Sequence, residues 1–192
     1  MHESVLDFLR KIQPSDVAGK YVVEFGSYNV NGTAREVIYP MNPAIYVGYD
    51  RIAGPGVDRV ADLGQYCRFI INSEKPDVLI CLNCLEHTKD WRCLVRNLKY
   101  LCKPGGLLVI SVPSRGFPRH NPPDYWRFGL NLIRQIFSDM KIEALEPDPQ
   151  IPGVLLRARA LAKTGMVSLE EIQPDKVPTG DADDLEKIWE EL

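Results

Sequence analysis

The sequence predicts an α/β fold built on a doubly wound sheet of seven strands, mostly parallel with one antiparallel, and helices on both faces. Three observations carry this. Strand-like and helix-like periodicity alternate along the chain, which is the pattern of a layered α/β domain. Residues 77–82 and 107–112 are near-continuous apolar runs, as parallel strands covered on both faces require. The unusual loops each follow the carboxyl end of a predicted strand, where such sheets bind ligands.

Taken in order, residues 3–12 set Val5, Leu6, Phe8, Leu9 and Ile12 on one helical face. Residues 21–25 (YVVEF) form a strand that runs into GSYNVNG, a loop of turn formers. A short helix is expected over residues 33–39, ending before Pro40. Strands follow at 45–49 and, after the turn IAGPG, at 57–60; residues 67–71 are expected to be helical. The strand 77–82 leads to a helix over 89–102 with Trp91, Leu94, Val95, Leu98 and Leu101 at helical spacing, broken by KPGG. After strand 107–112 comes PSRGFPRHNPPDYWRF, longer than ordinary connections. A helix at 131–140 and strands near 141–146 and 154–162 complete the pattern, the last two able to pair antiparallel.

The 192 residues are 45% hydrophobic and 26% charged, an ordinary globular composition that excludes collagen-like, disordered and disulfide-scaffold classes. No apolar run approaches the roughly 18 residues of a membrane span, and the N-terminal stretch carries charges that no signal peptide would hold. The five cysteines (67, 81, 84, 93 and 102) are expected to be free thiols in a reducing cytosol, so a cytoplasmic location is expected. Charge is uneven. Residues 164–192 carry Lys176 and Lys187 against nine acids, a net of −7, which leaves +4 on residues 1–163. That excess is too small to indicate nucleic-acid binding. The chain is therefore divided into a main domain, 1–163, and an acidic tail, 164–192. In the tail Leu185, Ile188, Trp189 and Leu192 share one helical face, expected to pack on the domain or a neighbouring subunit; a homodimer is left open.

Chemistry concentrates at the strand ends. Gly26 permits a sharp turn and close backbone approach after the first strand, and Glu24 is a carboxylate for a ligand ammonium. Asp50 ends the second strand where a carboxylate can take both hydroxyls of a ribose. Asp62 ends the third, placed for an adenine amino group. One aspartate after a strand is commonly a helix cap, but three acids after three successive strands are a joint pattern. A nicotinamide oxidoreductase would want G-x-G-x-x-G for its pyrophosphate. Tyr28 and Asn31 break that fingerprint, so a ligand with a nucleoside end, an amino acid end and no phosphate fits better.

On these stretches the chain resembles the class I S-adenosylmethionine-dependent methyltransferases, of the small type 11 kind. They are VVEFGSYNVNG, YVGYD, RVADLG, DVLICLNCLEHTKDW and LKYLCKPGGLLVISVPSRG, spanning roughly residues 20–128. The resemblance implies a Rossmann-like fold, S-adenosylmethionine as cofactor and S-adenosylhomocysteine as product. It implies contacts from Glu24, Gly26, Ser27 and Tyr28 to the methionine moiety, Asp50 and Arg51 to the ribose, Asp62 and Leu63 to the adenine, and Asn83 near the amino acid end. The family loop is E/D-x-G-x-G-x-G, and this chain departs from it at Tyr28 and Val30; Asn29, Asn31 and Gly32 tolerate positive φ and allow a rearranged turn.

Methyl transfer needs alignment first, and a base only where the acceptor must lose a proton. His87 and His120 are the candidates. Arg115, Tyr125 and Trp126 in the long loop either cover a small-molecule acceptor or, for the aromatics, pin the loop to the sheet. The run N83-C-L-E-H87 resembles the E-x-x-E-H element of metal-dependent O-methyltransferases, but Asn83 replaces the first carboxylate, and no metal is expected. The expected activity is methylation of an unidentified small acceptor. The alternative is a non-catalytic scaffold or partner subunit that keeps the fold.

Overall fold

The computed structural model describes residues 2–62, 64, 74–119, 124–162 and 167–177. Its strands, in chain order, are β1 (Tyr21–Phe25), β2 (Ile45–Asp50), β3 (Arg59–Val60), β4 (Val78–Leu82), β5 (Leu107–Pro113), β6 (Trp126–Arg127), β7 (Lys141–Pro147), β8 (Gly153–Arg159) and β9 (Asp175–Lys176). Seven of them form one sheet in the order β3-β2-β1-β4-β5-β8-β7. All run parallel except β8, which is antiparallel to both β5 and β7. The predicted architecture is therefore the observed one. Strand order reverses between β1 and β4, so the loops after these two strands diverge and open a crevice at the carboxyl edge.

Alternation along β1 sorts the two layers. Val22 joins Val5, Phe8, Leu9 and Ile38 beneath helices α1 (Glu3–Arg10) and α3 (Arg35–Ile38). Val23 and Phe25 face the opposite layer, where α4 (Trp91–Leu101) and α5 (Leu130–Ile136) contribute Trp91, Leu94, Leu98, Ile133 and Ile136. Asp90 caps α4 by accepting a hydrogen bond from the Cys93 amide at 2.9 Å.

The differences from expectation are local. A four-residue helix, α2 (Pro14–Val17), lies between α1 and β1, started by a proline whose missing N–H costs nothing there. The helix expected over 33–39 is the shorter α3, and a 3-10 turn, Tyr39–Met41, continues through Pro40 for the same reason. Strand β3 is only two residues, with Val60 59% exposed at the sheet edge. The helix expected at 67–71, and with it Cys67, lies outside the described residues. Within the long loop, β6 pairs antiparallel with β9, which comes from the chain's acidic end.

That end is fastened elsewhere too. Arg92 donates to the Leu169 and Ile172 carbonyls at 2.9 and 2.6 Å, and Leu169 is buried. The Val167 amide donates to Asp139, whose carboxylate also receives Lys99 Nζ at 2.7 Å. Lys99 and Asp139 side chains are each 7% exposed, so their pair is buried beneath α4 and α5. The amphipathic pattern over 181–192 lies outside the described residues.

Removing one member of a buried ion pair strands the other charge, which typically costs about 3–5 kcal/mol. Asp139→Ala is expected to lower the unfolding free energy by roughly that amount, measured by urea denaturation. The Lys99→Met, Asp139→Leu double variant is expected to recover most of the loss.

Candidate functional site

The site is built where the loops after β1, β2 and β4 meet. The amides of Gly26 and Ser27 both donate to the Tyr49 carbonyl, at 2.9 and 3.1 Å, so the chain leaves β1 in a tight turn. Gly26 has φ +76°, and a Cβ there would sit 3.2 Å from the Cβ of Cys84. The conformation and the space both select glycine. Beyond the turn, the Tyr28 amide donates to Asp50 Oδ2 at 3.0 Å and the Asn29 amide to the Pro55 carbonyl at 2.8 Å. The Gly32 amide closes the loop on Asn29 Oδ1 at 2.9 Å. Gly32 takes positive φ while Asn29 and Asn31 do not.

The departures at positions 28 and 30 thus leave the turn intact. Neither Tyr28 nor Val30 is held at positive φ, so a side chain is tolerated at each. The Tyr28 ring lies along the loop after β2, where a Cβ on Gly54 would come within 2.2 Å of it. Gly56, at φ +85°, approaches the Ser27 carbonyl so closely that a Cβ would lie 2.5 Å away. Two bare backbone positions let the loops after β1 and β2 pack directly on each other.

Around this junction the predicted residues fall as follows. The Asp50 carboxylate accepts from the Tyr28 amide and, at 3.3 Å, from the Ile52 amide. A carboxylate offers roughly four acceptor sites, so two remain for a ligand. Arg51 beside it is exposed. Asp62 accepts from the Gly64 amide at 2.9 Å, the kind of local turn an aspartate forms after a strand. Asn83 stands at the end of β4 with φ 49°, its Oδ1 accepting from Ser111 Oγ at 2.5 Å and its amide donating to the Ser111 carbonyl at 3.0 Å. Asn is among the few residues that accept this backbone, so the side chain is fixed at the crevice. Leu63 and His120 lie outside the described residues.

Glu24 is placed differently from its sequence expectation. It is 1% exposed, and its Oε2 receives the Tyr46 hydroxyl at 2.5 Å. The Ala34 amide and the Thr33 hydroxyl also reach it, and burial raises its pKa. The carboxyl therefore ties β1 to β2 and to the start of α3 from beneath the loop, and a ligand ammonium does not reach it in this arrangement.

His87 closes a 3-10 turn, Leu85–His87, that follows Asn83. The long loop clamps this turn. The Tyr125 amide donates to the Glu86 carbonyl at 2.8 Å and Trp126 Nε1 to the Thr88 carbonyl at 3.0 Å. The Tyr125 backbone and the Trp126 indole thus tie the loop to this turn. Arg115 is largely exposed, with Asp175 of β9 at 3.4 Å. Glu86 itself, weighed in the sequence only as a metal ligand, is 4% exposed, and burial pushes its carboxyl up to about 7. Burial of a side chain beside a histidine leaves no mark in a single sequence, which is why this group was not legible there.

The chain belongs to the methyltransferase domain family, whose model (Methyltransf_23) matches residues 1–190. No curated protein matches the sequence. Among solved structures, it is similar to one described as the complex of the Haloferax volcanii Trm112 methyltransferase activator with the putative methyltransferase. That match has TM-score 0.64 and 13% identity, covering 85% of this chain and 91% of that one. The N-methyltransferase NodS of Bradyrhizobium japonicum, solved with S-adenosyl-L-homocysteine, matches with TM-score 0.59 and 14% identity over 82% of this chain and 86% of that one. An S-adenosylmethionine-dependent methyltransferase of Mesorhizobium loti matches with TM-score 0.58 and 19% identity over 81% and 97%. No helix among the described residues is long and apolar enough to cross a membrane.

Two outcomes follow from the site's geometry. Gly56→Ala is expected to force the loops after β1 and β2 apart and lower stability by about 1–3 kcal/mol, as strained backbone positions do; thermal unfolding measures it. The Glu86 carboxyl, raised from 4.5 to about 7, binds its proton more tightly in the folded state, so its contribution is present below the unfolded value and lost as pH rises through about 7. Wild-type protein should therefore lose about 3 kcal/mol from this group between pH 4.5 and 8, and Glu86→Gln should flatten the profile by that amount. Denaturant unfolding at the two pH values checks it.

Proposed function

We propose that the protein is an S-adenosylmethionine-dependent methyltransferase acting on a small-molecule acceptor. The observation that carries this reading is the Asp50 junction. The loop that lacks two family glycines still delivers its amide at position 28 to the Asp50 carboxylate, and the carboxylate keeps acceptor capacity at the crevice. These residues fit an adenosyl ligand. Asp50 would hold the ribose hydroxyls with Arg51 alongside, Asp62 and Leu63 the adenine. Gly26, Ser27, Tyr28 and Asn83 would border the methionine end. Glu24, from below, keeps the loop in place.

When bound, S-adenosylmethionine supplies an electrophilic methyl group on a sulfonium, and the reaction's intrinsic chemistry belongs to it. The chain's work is alignment, which contributes up to about 7–11 kcal/mol when reacting atoms are well placed. His87, at the turn beside Asn83, is the described candidate to take a proton from the acceptor, and His120 is the second. Tyr125 and Trp126 hold the loop that borders this turn, and Arg115 adds a positive charge on its outer side. The family match does not favour the scaffold alternative.

Calorimetric titration tests the reading. S-adenosylhomocysteine is expected to bind and NADH to give no heat. Asp50→Ala, which removes two charge-assisted hydrogen bonds to the ribose, is expected to weaken that binding by about 10- to 100-fold. Unchanged affinity in Asp50→Ala would overturn the ribose assignment.

A further inference from the structure

We infer that Glu86 is the positioning residue for His87, its carboxylate balancing the imidazolium that forms when His87 takes a proton from the methyl acceptor. This rests on the methyltransferase reading above. It is carried by how Glu86 differs from every other buried acid among the described residues. Glu24 receives the Tyr46 hydroxyl, Asp124 is bound by Arg127, Asp139 by Lys99, and Asp148 receives the Ser4 hydroxyl. Each of those carboxylates is satisfied. Glu86 is equally buried, yet its Oε2 has no hydrogen-bond partner among the described residues. An acid left in that state costs stability unless something else requires it.

The neighbouring charges show what it is for. Arg127, the nearby guanidinium, is fully committed. Its two terminal nitrogens bind the two oxygens of Asp124, and they also donate to the carbonyls of Phe117, Pro118 and Trp126. Asp124 offsets most of that charge, so Arg127 acts on Glu86 only at a distance and makes no hydrogen bond to it. The side chain that remains is His87, whose Nε2 lies 3.9 Å from Glu86 Oε1. Cys81 of β4 faces the same carboxyl and is itself raised, by the Cys84 thiol and by burial, so it brings no charge. Among the described residues, the cation in ion-pair range of Glu86 is therefore His87 when protonated.

The transfer step is balanced on these terms. The acceptor's oxygen or nitrogen bonds to the methyl carbon of the sulfonium donor, and the carbon–sulfur bond breaks with its electron pair left on sulfur. The acceptor's proton passes to His87. The positive charge that began on sulfur ends on the imidazole, beside a carboxylate with no other ion-pair partner among the described residues. The role is that of the acid which orients and stabilises a catalytic histidine in hydrolytic triads. The turn that holds both residues is fixed by the Tyr125 and Trp126 hydrogen bonds from the loop, so the pair keeps its spacing.

The experiment needs no acceptor. Protein labelled with ¹³C at glutamate carboxyls is titrated by NMR, with Glu86 assigned by its loss in Glu86→Gln. In His87→Gln the Glu86 midpoint should rise by about one pH unit, because a partner of opposite charge within about 4–6 Å favours ionisation. A midpoint that does not move would overturn the inference, since the carboxylate and the imidazolium would then not interact. In the same samples, Glu86→Gln should bind S-adenosylhomocysteine as wild type does, because its role is in the proton step; lost binding would also overturn it. Should Glu86→Gln fail to fold, the His87→Gln comparison still decides, with Glu86 assigned as the glutamate resonance titrating near neutral pH. Failure of wild-type protein to bind S-adenosylhomocysteine would remove the function reading instead, a result independent of the carboxyl titration.

Discussion

Close approach of three loops at one sheet edge is the constraint on which the rest of the molecule depends. Parallel pairing brings the ends of β1, β2 and β4 together, and the reversal of strand order parts the loops after β1 and β4. What lets them meet is the absence of side chains at chosen points. Gly26 lies against Cys84, Gly54 beneath the Tyr28 ring, and Gly56 against the Ser27 carbonyl. Asp50 then binds the junction electrostatically, its carboxylate taking the amide that emerges from the β1 turn. A ligand at this edge meets backbone amides and carboxylates held in register.

Buried carboxyls serve this edge in two distinct ways. Glu24 works below the loop, shared among Tyr46, Thr33 and Ala34, and so fixes where β1 ends and α3 begins. Asp124 with Arg127 works above it, making a rigid base for the loop that grips the Leu85–His87 turn. Both are satisfied networks, which in a low-dielectric interior confer rigidity. Glu86 is the exception among the buried acids of the described residues, its Oε2 lacking a hydrogen-bond partner there. The β6–β9 pairing extends the same scaffold outward, since it ties the chain's acidic end to the loop.

The doubly wound sheet was legible from the apolar runs of β4 and β5, because a strand covered on both faces has little freedom in composition. The positions of two of the acids were legible for a related reason: Asp50 is the last residue of β2, and Asp62 follows β3 by two residues. The misplacement of Glu24 has a physical cause. Position 24 alternates with Val23 and Phe25, and which face of a parallel strand looks toward a ligand cannot be read when both faces are buried. The short elements were illegible because tertiary partners create them. β6 exists only through β9, some fifty residues away, and the Tyr39–Met41 turn runs through a proline that local rules would make a stop. Tyr28 and Val30 read as damage to a glycine loop, whereas the positive φ values fall on Gly26 and Gly32.

The central claim is that the altered loop still forms an adenosyl site around Asp50. A crystal structure of the protein grown with S-adenosylhomocysteine tests it most directly. The account predicts both ribose hydroxyls on the Asp50 carboxylate, with the Tyr28 amide still donating to the same group. An empty crevice, with the Tyr28 ring lying where the ribose belongs, would contradict it.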